Sequence, residues 1–313
     1  MADPKPKTFF SGAALVWRRQ RVLWLLYIVN FVLATVGTFE TKERVGKILN
    51  HRLAADQLLH GFNLGAFISL WTHPETPFAS LSAGIFHSAI LFTLFMLFAT
   101  GGILAAYYSG QRLKAGPFFE ACGHHFWRFL RLTIYLLIVL VPVGALGKIA
   151  SSQYNRIDTG SISPMPAVHF MEATIVVVAL MLICIRIWFD MAQVIAVAED
   201  ERRMHKALRS AASLLRHNFG SLFWLYFRVS LVGWIVFGFG VYFWIGRLAP
   251  ESTGAAFVLS QFMILVWLST RLWQRASESI WFREHQRAIA AVPAYEPPAV
   301  PPMPVISAAP ATD

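Results

Sequence analysis

Residues 173–197 read ATIVVVALMLICIRIWFDMAQVIAV, twenty-five positions in which only Arg186 and Asp190 are charged. At 1.5 Å per residue this run is longer than the ~30 Å hydrocarbon core of a bilayer, so it predicts a membrane-spanning helix. Five more stretches have the same character, at about 22–40, 84–108, 130–149, 221–245 and 255–274. Backbone inside lipid must satisfy its own hydrogen bonds, so each is expected to be helical. The fold class that follows is all-α: a polytopic bundle of six transmembrane helices arranged as three hairpins. The first span follows a basic segment, as a signal peptide does. No small-x-small cleavage site closes it and five more spans follow, so a retained helix is expected.

Composition agrees. Of 313 residues, 56% are hydrophobic and 14% charged, where a soluble domain carries about 25% charged residues. This excludes an ordinary cytosolic enzyme and a disordered chain. Two cysteines cannot build a disulfide framework. The net charge of +10 is distributed as a topology signal. With both termini cytoplasmic, seventeen Lys and Arg residues fall on the inner side and seven on the outer, and Arg186, Arg228 and Arg271 lie within spans. The basic residues hug span ends and build no separate basic domain, so nucleic acid is not an expected partner. The domain reading is an integral membrane unit over 1–280 and a Pro/Ala-rich cytoplasmic tail over 281–313, disordered by composition, with seven prolines in 293–313. The external segment 41–83 has apolar residues at helical spacing and predicts one or two helices on or near the outer face.

The entrances to spans 1, 3 and 5 resemble one another. FFSGAALVWRRQRVLWLLY (9–27) and FFEACGHHFWRFLRLTIY (118–135) both place Trp-Arg-x-x-Arg before an apolar run, at Trp17–Arg21 and Trp127–Arg131. A looser version, KALRSAASLLRHNFGSLFWLY, covers 206–226. Each predicts an amphipathic helix in the headgroup plane, with Arg18, Arg21, Arg128, Arg131, Arg209 and Arg216 toward lipid phosphate. Three repeated units explain the pattern, as does the general enrichment of aromatics and arginines where helices enter from the basic side.

Two stretches carry a family likeness. One is GGILAAYYSGQRLKAGPFFEACGHHFWRFLRL (101–132). The other runs from Trp188 through Val194, Ala196, Ala198 and Glu199 to Ala207-Leu208-Arg209 and Leu214-Leu215-Arg216. Together they resemble the membrane domain fused to some bacterial glycerophosphodiester phosphodiesterases, a domain that also occurs alone. The likeness covers roughly 84–280 and implies a six-helix bacterial inner-membrane protein. Nothing here corresponds to the soluble catalytic barrel of those enzymes, so their activity is not expected to carry over.

Ionisable residues within spans cost about 2.5–3.5 kcal/mol each at a helix centre, so they mark candidate sites. Arg186 and Asp190 stand four apart on one helix face and can pair. With Arg228 and Arg271 they define a candidate pocket for an anionic lipid headgroup or a small anionic solute. The competing reading has each arginine snorkelling to the inner interface, with Arg186 neutralised by Asp190. Glu199, Asp200 and Glu201 suit a helix start, where acidic groups complement the dipole. Catalytic and metal chemistry is not signalled. His124 and His125 are adjacent and do not share a helix face. No HExxH, CxxC, phosphate loop or nucleophile elbow is present. No cofactor and no enzymatic activity are expected. The leading expectation is a protein of lipid or envelope homeostasis in the bacterial inner membrane, in contact with anionic lipids, acting by lipid contact or as a scaffold with a membrane-protein partner or a second copy. The alternative is a small-solute or lipid transporter that uses the arginine pocket, which requires a cavity at mid-depth rather than a filled core.

Overall fold

The computed structural model describes residues 7–49, 78–110, 114–160, 165–244, 246 and 252–291. Among these there are seven helices and no strand. They are α1 (Lys7–Arg18), α2 (Gln20–Leu49), α3 (Phe78–Ser109), α4 (Ala115–Gly160), α5 (Met165–Ala198), α6 (Met204–Phe243) and α7 (Thr253–Ala290). Helices α2 to α7 are each long and apolar enough to cross a membrane, so the chain is a multi-pass membrane protein built as an all-α bundle.

Several boundaries differ from expectation. Residues 41–49 of the expected external segment continue α2, and 50–77 lie outside the described residues. Residues 281–290, expected to begin the tail, complete α7, whose Ile280, Trp281 and Phe282 are buried. Hydropathy hides this extension because Arg275 and Glu278 depress it, although Leu268, Leu272, Ala276 and Ile280 keep an i, i+4 apolar stripe running through it. The remainder of the tail, 292–313, lies outside the described residues. Helix α4 passes through Pro142 without interruption. The entrance segments are the separate helix α1 and the first turns of α4 and α6. A turn at Arg19 divides α1 from α2, and non-helical backbone at Asn218 (φ −125°, ψ 25°) kinks α6.

The packing is cyclic. Helices α3, α5 and α7 touch pairwise and form an inner triangle. Each of the others lies against two of them: α2 on α3 and α7, α4 on α3 and α5, α6 on α5 and α7. The entrance segments follow the same rule, each seated on the inner helix of the preceding hairpin around the ring. Helix α1 packs on α7, where Trp273 Nε1 donates to the Phe9 carbonyl at 2.8 Å. The start of α6 packs on α5, where Trp188 Nε1 donates to the Leu208 carbonyl at 2.8 Å. The start of α4 packs on α3 at Gly101 and Gly102; a Cβ on Gly102 would lie 2.5 Å from Cys122 Sγ and 2.8 Å from the Phe118 carbonyl oxygen. The amphipathic segments therefore bury apolar residues on protein, where the sequence predicts contact with the headgroup plane.

Burial is lopsided along the membrane normal. On the side where α1 lies, buried residues run through 99–107 of α3, 187–196 of α5 and 268–282 of α7. Toward the opposite side, no residue of 171–186 in α5 or of 230–244 in α6 is buried. Burial is dense in one half and sparse in the other, where Val143, Ala150, Ala167 and Ala256 are buried.

Candidate functional site

The intramembrane charges meet where dense burial gives way to sparse. Asp190 of α5 is the hub, with 5% of its side chain exposed. Its Oδ1 lies 2.8 Å from Arg275 Nη2, and its Oδ2 accepts a hydrogen bond from Tyr226 at 3.3 Å. Arg271 Nη1 and Arg186 Nε stand 3.6 and 3.7 Å from Oδ2, close enough to pair but beyond ordinary hydrogen-bond length. Arg186 Nη2 donates to Gln274 Oε1 at 2.6 Å. Arg275 Nη1 faces the fully buried Glu278 at 3.5 Å. Three guanidinium groups against two carboxyls leave one positive charge in excess when all are ionised.

Helical geometry explains the membership. Arg186 and Asp190, and Arg271 and Arg275, each stand four apart and share a face of α5 and of α7. Arg186-Ile187-Trp188 and Arg271-Leu272-Trp273 repeat one pattern on two inner helices whose tryptophans make the same bond to their entrance segments. Arg186 and Arg271 thus occupy corresponding places in the ring.

The expected member Arg228 is not brought there. It lies over the ring of Trp224 at 5.0 Å. Tyr226, two residues away and so ~200° around α6, is the residue that turns inward. Reading α6 by depth alone ignores that rotation. In exchange the structure adds Arg275, Glu278, Tyr226 and Gln274. Arg275 lies just past the apolar run that ends at 274, where hydropathy falls and the sequence reads as flank; the repeated Arg-x-Trp pattern is the signal that extends the site along α7.

Two cavities meet at these arginines. The larger, about 950 Å³, extends from Arg186 and Arg271 to Val241, Trp244 and Ser260, with Asn30 and Ala34 of α2 in its wall. Six residues of α7 line it, from Ser260 to Arg271, a stretch of ~16 Å at 1.5 Å per residue. The smaller, about 380 Å³, lies among α3, α4, α5 and α7 and holds Asp190, Gln193, Arg275, Thr100 and Thr133 as well as the shared Arg186 and Arg271. The side chains of Arg186 and Arg271 are 44% and 31% exposed, whereas that of Arg275 is 9% exposed. Two of the cations therefore stand open to the cavities, while the third, in the wall of the smaller one, is buried and anchors Asp190.

Of the six arginines expected at the interface, Arg18, Arg21, Arg131, Arg209 and Arg216 are exposed. Arg128 is not: its side chain is buried, and its Nη1 donates to Asp200 Oδ1 at 2.6 Å while Nη2 lies 3.0 Å from His124 Nε2. Asp200 has positive φ (47°) and joins the loop between α5 and α6 to α4, rather than serving the start of α6. Hydrogen bonds from Arg128 and His124 hold its carboxyl down at about 2. The helix-start role falls to Glu201, which accepts from Arg203 N and pairs with Lys206; these contacts hold its carboxyl below the usual range. Folding brings ligating atoms of His124, His125 and Asp200 within 4.8 Å of one another, despite the adjacency of the histidines. The guanidinium of Arg128 already occupies that junction, and a metal ion there would have to displace it.

No protein family, curated protein or solved structure matches this chain.

Proposed function

We propose that this protein binds an anionic membrane amphiphile in the arginine-floored chamber and serves lipid or envelope homeostasis, as a binding protein rather than a catalyst. One observation carries the reading: Arg186 and Arg271, on corresponding positions of two inner helices, present guanidinium groups to an apolar cavity of about 950 Å³ inside a membrane bundle. Cations at that depth are costly unless they face a partner or water, and the local carboxyls leave one in excess. Apolar walls with a few convergent polar groups are the usual composition of a ligand site. A scaffold with a filled core has no need of such a chamber.

Transport of the amphiphile, or of a small anion, is a second reading. It is favoured by the two cavities that share Arg186 and Arg271, so that one anion-binding point is reached from both. The surplus of Lys and Arg on the side of the termini supports a cytoplasmic placement of both ends. A bacterial inner membrane is what the resemblance of 101–132 and 188–216 implies.

The test is native mass spectrometry of protein purified in mild detergent. Arg186→Gln/Arg271→Gln is expected to lose bound anionic lipid by an order of magnitude, and Arg228→Gln to keep it. Equal retention by all three proteins would overturn the proposal.

A further inference from the structure

Resting on that reading, we infer that the ligand straddles the two cavities: a phosphate headgroup bearing a hydrogen-bond donor sits in the smaller cavity, and its acyl portion sits in the larger. The smaller cavity carries unfilled hydrogen-bonding capacity of both kinds. Arg275, with nine-tenths of its side chain buried, lines this cavity beside Arg186 and Arg271; its Nη1 faces Glu278 at 3.5 Å as an ion pair and makes no hydrogen bond. Several N–H groups converging on one point suit an anion with several acceptor oxygens, which describes phosphate better than carboxylate. Gln193 Oε1 is buried, accepts no hydrogen bond and lines the same cavity, so it calls for a donor on the ligand. Thr100 and Thr133 donate to the carbonyls of Met96 and Phe129, which leaves their oxygens as further acceptors. At about 380 Å³ the space suits a compact headgroup.

The larger cavity has the opposite character. Away from the arginines its wall is dominated by Phe92, Phe237, Met263, Trp267 and Leu268, a lining that suits hydrocarbon. Asp190 belongs to this arrangement as a resident anion. It engages Arg275 at 2.8 Å and stays beyond hydrogen-bond length of Arg186 and Arg271, so both can turn to the ligand without releasing it.

The chemistry orders three lipids: phosphatidylglycerol, with an anionic phosphate and hydroxyl donors, above phosphatidic acid, and both above phosphatidylcholine. The experiment titrates the full-length detergent-solubilised protein with each lipid, and separately with inorganic phosphate. Gln193→Leu, nearly isosteric, is expected to lower the phosphatidylglycerol-to-phosphatidic-acid preference about fivefold, the effect of one lost hydrogen bond, with phosphatidic acid binding unchanged. Thr133→Val is a second variant on the same wall and is expected to shift the preference in the same direction. Ala34→Trp fills the larger cavity and is expected to weaken both anionic lipids at least tenfold while sparing inorganic phosphate. An unchanged lipid preference in both Gln193→Leu and Thr133→Val would overturn the headgroup placement, even where the arginine double variant still loses lipid. Inorganic phosphate that saturates the protein and excludes no lipid would also overturn the headgroup placement, and equal loss of phosphate and lipid in Ala34→Trp would overturn the assignment of the tail.

Discussion

Replacing Asp190 by Asn removes the one carboxylate that faces all three arginines of the cluster. The structure sets the size of the effect. Arg275 loses an ion pair at 2.8 Å in a place where its own side chain is 9% exposed, and it keeps only Glu278 at 3.5 Å. Arg186 and Arg271, at 3.7 and 3.6 Å and facing cavities, lose less. Stripping one partner from a buried pair costs about 3–5 kcal/mol, because an uncompensated charge is left behind. At about 2–4 °C per kcal/mol this lowers the unfolding midpoint on the order of 10 °C. The assay is thermal unfolding followed by intrinsic tryptophan fluorescence in one detergent. Asp190→Asn combined with Arg275→Met and Glu278→Gln is expected to recover more than half of the loss, since the triple change removes the stranded cation and the buried carboxyl paired with it. A shift of Asp190→Asn below about 2 °C, or a triple variant as unstable as the single, would refute the argument that Asp190 exists to neutralise Arg275.

Gly102→Ala is expected to destabilise by about 1–3 kcal/mol, because the added Cβ meets Cys122 Sγ and the Phe118 carbonyl. Gly123→Ala, where nothing lies within 4 Å, should leave the unfolding midpoint unchanged or raise it. Trp188→Phe and Trp273→Phe each remove one hydrogen bond to an entrance-segment carbonyl, and each should cost about 1 kcal/mol in the same unfolding assay; strongly unequal losses would argue against the correspondence of α5 and α7. Asp200, whose carboxyl is held at about 2, is depressed in the folded state, so its contribution stands in full above the unfolded value near 4 and declines as pH falls toward 2. Its side chain is 62% exposed, so that contribution stays below about 1 kcal/mol. Asp200→Asn should flatten the stability profile between about pH 4 and pH 2 and shift it by a constant offset at pH 7.

The spans and the hairpin order were legible because apolar run length alone decides them, and the segment around Arg186 and Asp190 shows how strong that signal is. The site was legible in part. Depth along a helix can be counted from a sequence, and it located Arg186, Asp190 and Arg271. Azimuth cannot be counted the same way in a helix that is apolar all round, which is why Arg228 was grouped with them and Tyr226 was not. Arg275 and Glu278 escaped for another reason: pairing across the i, i+3 step makes a buried segment look polar. The lopsided packing, which opens the chamber, has no counterpart in hydropathy, since sparsely and densely buried halves are equally apolar when one of them faces lipid.

The ring has a consequence for the order of biosynthesis. Among the described helices α1 is made first, yet the surface that receives it, including Trp273 and Ser277, belongs to the one made last, α7. During synthesis its apolar face has only the bilayer surface for company, a setting that amphipathic helices tolerate. The α1 contact with α7 can form only after α7 has emerged, and α7 also carries Arg271, Arg275 and Glu278, so the same event that seats α1 brings the charges of the cluster together.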